Sequence, residues 1–239
     1  MKTLLNKIID FFFEKKRTKK KYKPLTNKPL ADVLSTGKLF VACLVSRNNN
    51  FASKQITKFS GPFSHVVVVW NMLDSIFETT AWDRLCKKFD KYYGEYDWAN
   101  DGPQHVVLAS ADDNGMNYFS ISEYQNREMI VFHINGSVDP IPEDHLRSYE
   151  RVISEFLSPK VMNANYDYTG LVGQIFRKLG KLFYSLWDDE RAYYCSEQAE
   201  IFKRHGVKIA DVDEPTPTEI YKYCRQHYPV AYSSLTREY

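Results

Sequence analysis

Three residues of this chain have the types that thiol chemistry needs: Cys195 as nucleophile, His65 as base and Glu78 as an acid able to orient the base. His65 sits in Gly61-Pro62-Phe63-Ser64-His65-Val66-Val67-Val68-Val69-Trp70, an apolar run that reads as a strand. Glu78 follows in Ile76-Phe77-Glu78-Thr79-Thr80, and Cys195 stands far downstream in Tyr193-Tyr194-Cys195-Ser196-Glu197, ahead of a helical pattern. A thiol at a helix start faces the positive end of the helix dipole, which lowers its pKa from roughly 8.5. The adjacent N–H groups can also stabilise a developing oxyanion. On spacing alone, Cys195 reads as a buried structural cysteine and His65 as a packed strand histidine.

The elements that must position these residues follow from periodicity. Lys38–Val45 reads as a first strand and residues 48–58 as a polar excursion. His65–Trp70 and Ser75–Thr80 read as a hairpin across Asn71–Asp74. If Val67 pairs with Glu78, His65 and Glu78 lie diagonally on one face, whereas a one-residue slip turns Glu78 to the other face as a solvated glutamate. Further strands are expected over residues 104–111, near Tyr118 and over residues 128–134. Helices are expected over Glu143–Phe156, Leu171–Trp187 and Ser196–His205, the last ended by Gly206, with another opening at Pro217.

Set in this order, the motifs resemble those of the circularly permuted papain-like amidases of the YaeF/YiiX type, relatives of the NlpC cell-wall peptidases and of lecithin:retinol acyltransferase. Papain-like enzymes place the cysteine helix before the histidine strand, and here the histidine comes first. Gly37-Lys38-Leu39-Phe40-Val41 looks like the family's opening glycine and strand, and Phe59-Ser60-Gly61-Pro62-Phe63-Ser64-His65-Val66 like its Ser-His-Val entry. Glu78 matches the acid on the next strand, Tyr166-Asp167-Tyr168 the Tyr-Asp element, and Tyr194-Cys195-Ser196-Glu197 the Tyr-Cys-Ser-Glu helix start. The resemblance spans roughly residues 37 to 225 and turns the reading of Cys195 and His65 from structural to catalytic.

What the resemblance implies is an α+β, permuted papain-like fold with a small antiparallel sheet packed against the helix bearing Cys195. It implies a cysteine amidase or peptidase working through a Cys195–His65–Glu78 triad and a thioester, with Tyr166 near the oxyanion or lining the groove. The substrate would be a peptide, another amide or a lipid, and no cofactor or metal is needed. Lipid acyl transfer of the lecithin:retinol acyltransferase kind shares the thioester, and a catalytically silent binding module would keep the scaffold alone. The chain departs from compact members between Thr80 and Tyr118, where charged and aromatic residues including Lys87–Trp98 read as a long groove-shaping loop.

Composition bounds the rest. The 239 residues can bury a real core, and 44% hydrophobic with 26% charged residues is ordinary for a globular protein. No apolar run of ~18 residues marks a transmembrane helix. Cys43, Cys86, Cys195 and Cys224 have no paired spacing, so neither a zinc site nor a disulfide framework is expected, and His105, His133, His145, His205 and His227 lack metal-ligand spacing.

The net charge of +2 hides a division. Residues 1–28 hold ten Lys/Arg against two acids, a formal +8, and residues 29–239 hold 22 against 28, a formal −6. The head therefore reads as a basic amphipathic helix and linker, and residues 29–239 as the catalytic domain. Leu4, Leu5, Ile8, Ile9, Phe12 and Phe13 fall on one helical face, while Asp10 and the lack of a small-residue cleavage site argue against a secretory signal. Residues 1–23 would suit an anionic membrane surface, or equally a helix packed on the body with a solvated linker. Nucleic-acid binding is not expected, and the location implied is cytoplasmic, peripheral to the inner face of a membrane. Oligomeric state is not legible.

Overall fold

A computed structural model of the chain describes residues 21–36, 39–46, 61–71, 79–94, 105–112, 115–134, 143–166, 192–193, 198–213 and 215–239. Its centre is a six-stranded antiparallel sheet, with helices on both faces, so the fold class is α+β. The strands are β1 (Leu39–Val45), β2 (Phe63–Asn71), β3 (His105–Asp112), β4 (Gly115–Ser120), β5 (Met129–His133) and, near the C-terminal end, β8 (Val230–Ser233). Their spatial order is β4-β3-β2-β1-β5-β8. A separate two-stranded parallel pair joins β6 (Asn165–Tyr166) to β7 (Ala192–Tyr193).

The central strands are apolar because both of their faces are covered. Every residue of β1 is buried, and Val66 to Trp70 of β2 are fully so. Such runs lack polar alternation for the same reason that strands covered on both faces do in other folds. Paired residues and residues two apart share a face, so His65, Val67 and Val69 stand with Leu44, Ala42 and Phe40. Two helices cover that side. Asn27 caps α1 (Lys28–Leu34) and donates to the Tyr232 hydroxyl at 2.8 Å, and Tyr92 of α2 (Thr79–Tyr93) stacks on Phe119 at 4.7 Å.

The opposite face is covered by α3 (Glu143–Phe156), α5 (Gln198–Arg204) and α6 (Pro217–His227), with the single turn α4 (Pro159–Met162) following α3. Tyr118 donates to the Phe156 carbonyl at 2.6 Å, Phe156 meets Phe202 edge-on, and Tyr221 packs against Phe63 and Phe132. α5 ends as expected at Gly206, whose φ of +76° suits glycine. α6 is entered through a capping box between Thr216 and Glu219.

Two expectations fail here. The hairpin of residues 65–70 with 75–80 is not what the described residues form: β2 pairs with β1 on one edge and β3 on the other, and Thr79 and Thr80 belong to α2, while residues 72–78 lie outside the described residues. The stretch read as a groove-shaping loop is, over Lys87–Tyr93, the second half of that helix. Leu85, Phe89, Tyr92 and Tyr93 are buried from it, at the spacing of one helical face. Residues 21–27 have no regular structure but are tied down. Tyr22 meets Tyr93 edge-on at 5.5 Å, and the Gln125 carbonyl oxygen accepts from the backbone of Thr26 and Asn27. Among the described residues no helix is long and apolar enough to cross a membrane.

Candidate active site

His65 enters β2 immediately after a bulge. Leu44 pairs with His65 but Val45 pairs with Phe63, which leaves Ser64 as the extra residue. Gly61, with φ +101°, sets up this entry, and a Cβ there would stand 3.0 Å from the Thr218 hydroxyl. The partly buried ring of His65 then lies against β3. Its Nε2 is 2.9 Å from Ser110 Oγ and 3.3 Å from the Tyr124 hydroxyl, and those two hydroxyls are 3.0 Å apart. Tyr124 ends a 3₁₀ turn (Ile121–Tyr124) that follows β4, and Arg127 lies over its ring.

This environment keeps the imidazole neutral. Burial, and then the Arg127 guanidinium, pushes the His65 pKa down from 6.5 to about 3. The ring's hydrogen bonds to described residues fall on Nε2. With the proton on that nitrogen, Nε2–H donates to Ser110 Oγ and Nδ1 keeps an unprotonated lone pair.

β3 is also where the segment after Cys195 meets the sheet. The ladder shifts between Val68–Ala109 and Val69–Val107, leaving Leu108 as an extra residue. At this bulge the Ala109 carbonyl accepts from Gln198 Nε2 at 3.0 Å. Gln198 opens α5 and is wholly buried, with its Oε1 lacking a partner. Adjacent residues of β3 therefore hold two things on opposite faces: Ala109 holds the first turn of α5, and Ser110 holds His65.

Of the four residues singled out in the sequence, His65 is the one whose side chain is described. Cys195 and Glu78 lie outside the described residues. The backbone of Tyr166 pairs in β6 with that of Tyr193, two residues before Cys195. Sequence reasoning missed Ser110 and Tyr124, since serine and tyrosine carry no spacing signal and their approach to His65 depends on the β2–β3 register. Cys43, Cys86 and Cys224 are thiols that take part in no disulfide. Burial pushes the Cys86 thiol up to about 11, helped by Asp90 and Asp83, and burial raises Cys224 as well, so neither is activated. Among the described residues no group of His, Cys, Asp or Glu could hold a metal ion.

Comparison with protein-family models, with curated proteins and with solved structures finds no match to this chain.

Proposed function

We propose that the protein is a thiol-dependent hydrolase, an amidase or peptidase of permuted papain-like architecture, with Cys195 as nucleophile and His65 as base. The observation that carries this reading is the pair Ala109–Ser110, which ties Gln198 and His65 to neighbouring positions of one strand. Cys195 stands three residues before Gln198, a reach of at most about 10 Å of extended chain. The described part of α5 lies on the face away from His65, so this reading requires an approach to His65 round the β3–β4 end of the sheet. By the register of β2 on β3, His65 is near that end.

In the proposed chemistry the Cys195 proton passes to Nδ1 of His65 as sulfur attacks the carbonyl carbon. The tetrahedral adduct collapses to a thioester, the carbon–nitrogen bond breaks, and the imidazolium returns its proton to the leaving amine. Water, deprotonated by His65, then releases the acid and the free thiol. Burial of the ring, and then the nearby Arg127, disfavours a standing imidazolium, so His65 acts as a neutral base during attack. Ser110 holds the ring where the family pattern has an acid, and Glu78 keeps the orienting role only in the resemblance.

A second reading has its own support. A partly buried histidine satisfied at Nε2 by two hydroxyls, with its pKa pushed to about 3, also suits a structural residue in a non-catalytic binding scaffold. Alkylation of Cys195 by iodoacetamide at neutral pH, followed by peptide mass spectrometry, separates the two. On the catalytic reading Cys195 labels faster than Cys43, Cys86 and Cys224, and His65→Ala slows it at least ~10-fold. Labelling indifferent to His65 leaves the scaffold.

A further inference from the structure

The basic head has no part in the thiol chemistry, yet it joins the body at a defined place. Lys15, Lys16, Arg17, Lys19, Lys20, Lys21 and Lys23 form its charged run, preceded by the apolar positions Leu4, Leu5, Ile8, Ile9, Phe12 and Phe13. The run leads straight into Tyr22, whose ring is held edge-on by Tyr93 at 5.5 Å. Leu25 packs on the core, and Gln125 grips the next residues from both ends of its amide. Its oxygen accepts from Thr26 N at 2.7 Å and its nitrogen donates to the Pro24 carbonyl at 3.3 Å. Gln125 directly follows Tyr124, the partner of His65, and Tyr93, Tyr92, Phe119 and Tyr124 form a line of touching rings ending at His65. Residues 22–27, which follow most of the charged run in sequence, are thus held on the His65 face.

We infer that the head docks the protein on an anionic lipid bilayer with the His65 face turned toward the lipid. Charge complementarity commits the occupant. A formal +8 within 28 residues, together with apolar residues at helical spacing in the sequence, fits a surface offering both negative headgroups and hydrocarbon. The remaining residues, at a formal −6, are repelled by the same surface, so attraction resides in the head and the tether sets the orientation.

The test uses the full chain and sucrose-loaded vesicles of phosphatidylcholine, with and without phosphatidylserine. Co-sedimentation is expected only with phosphatidylserine, reversed by high salt. Replacing Lys19, Lys20 and Lys21 by Gln should weaken it roughly 100-fold, at about fivefold per cationic side chain. Hydrogen exchange on vesicles should show protection at residues 22–27 and 120–127 and none at residues 208–213 or 222–228. Binding without phosphatidylserine, binding unchanged by the triple substitution, or protection confined to the α6 side overturns the inference. None of these readings depends on whether Cys195 is reactive, so failure of docking and failure of the thiol reading are told apart.

Discussion

Ser110 on β3 holds His65 on β2 through a 2.9 Å contact between its hydroxyl oxygen and the ring Nε2. Both ends of the contact depend on irregular backbone. His65 follows the Ser64 bulge, and Ser110 follows the β3 bulge that turns Ala109 to the other face. A regular ladder would bring different residues together, so the contact is a product of register as much as of residue type.

The first expectation is therefore a separation of stability from reactivity. Ser110→Ala removes the hydroxyl's contacts with both His65 and Tyr124 and should cost about 1–3 kcal/mol in urea unfolding. If Ser110 positions a working base, the same change should slow Cys195 alkylation several-fold, and Ser110→Thr should restore part of it. An Ser110→Ala protein that is less stable but alkylates at the parent rate would make the contact purely structural.

Acid sensitivity is the second. With its pKa pushed down to about 3, His65 stays neutral in the native state while the unfolded chain protonates near 6.5. The unfolded state thus binds the extra proton. The stabilisation is full above about pH 6.5 and is lost as pH falls toward 3, at up to about 1.4 kcal/mol per unit. Urea titrations across that window should give a shallower slope for His65→Gln. His133, whose pKa burial also lowers, keeps some slope in the variant. Identical slopes in parent and variant would contradict the buried neutral imidazole.

Much of this fold was legible because periodicity reports burial directly. Glu143–Phe156 is legible as a helix with Pro142 near its start, and β1, β2, β3 and β5 through their apolar runs. α2 was not read, although Leu85, Phe89, Tyr92 and Tyr93 recur at helical spacing, because intervening lysines and aspartates gave it the composition of a loop. β8 escaped because four residues after Pro229 are too few to show alternation. At the site, His65 was marked by its flanks. Ser110 and Tyr124 were invisible because a hydroxyl 45 or 59 residues away becomes a partner only through tertiary register.

Gly61 offers a third test, at the entrance to the His65 strand. Alanine there must adopt φ +101° and place its Cβ 3.0 Å from Thr218 Oγ1 and 3.1 Å from Cγ2. Gly61→Ala should cost about 1–3 kcal/mol. Adding Thr218→Ala relieves the contact but not the backbone strain, so the double variant should recover only part of the loss. Full recovery would mean that the positive φ carries no cost.

The fourth concerns Gln198, whose amide joins α5 to the β3 bulge from inside the core. Leucine fills a similar volume, loses the bond to the Ala109 carbonyl and removes the unpartnered Oε1, so Gln198→Leu should change stability by about 1 kcal/mol or less. Glutamate differs, since its carboxylate would face the Ala109 carbonyl in a wholly buried site. Gln198→Glu should cost about 3–5 kcal/mol at neutral pH. Its folded-state pKa must rise above the unfolded value near 4.3, so the penalty relative to the parent should shrink as pH falls and the carboxyl protonates. The difference in unfolding free energy between variant and parent, measured at pH 7 and near pH 4.5, checks this directly. A penalty that is small or independent of pH would show that water reaches the Gln198 side chain and that α5 is not sealed against the bulge.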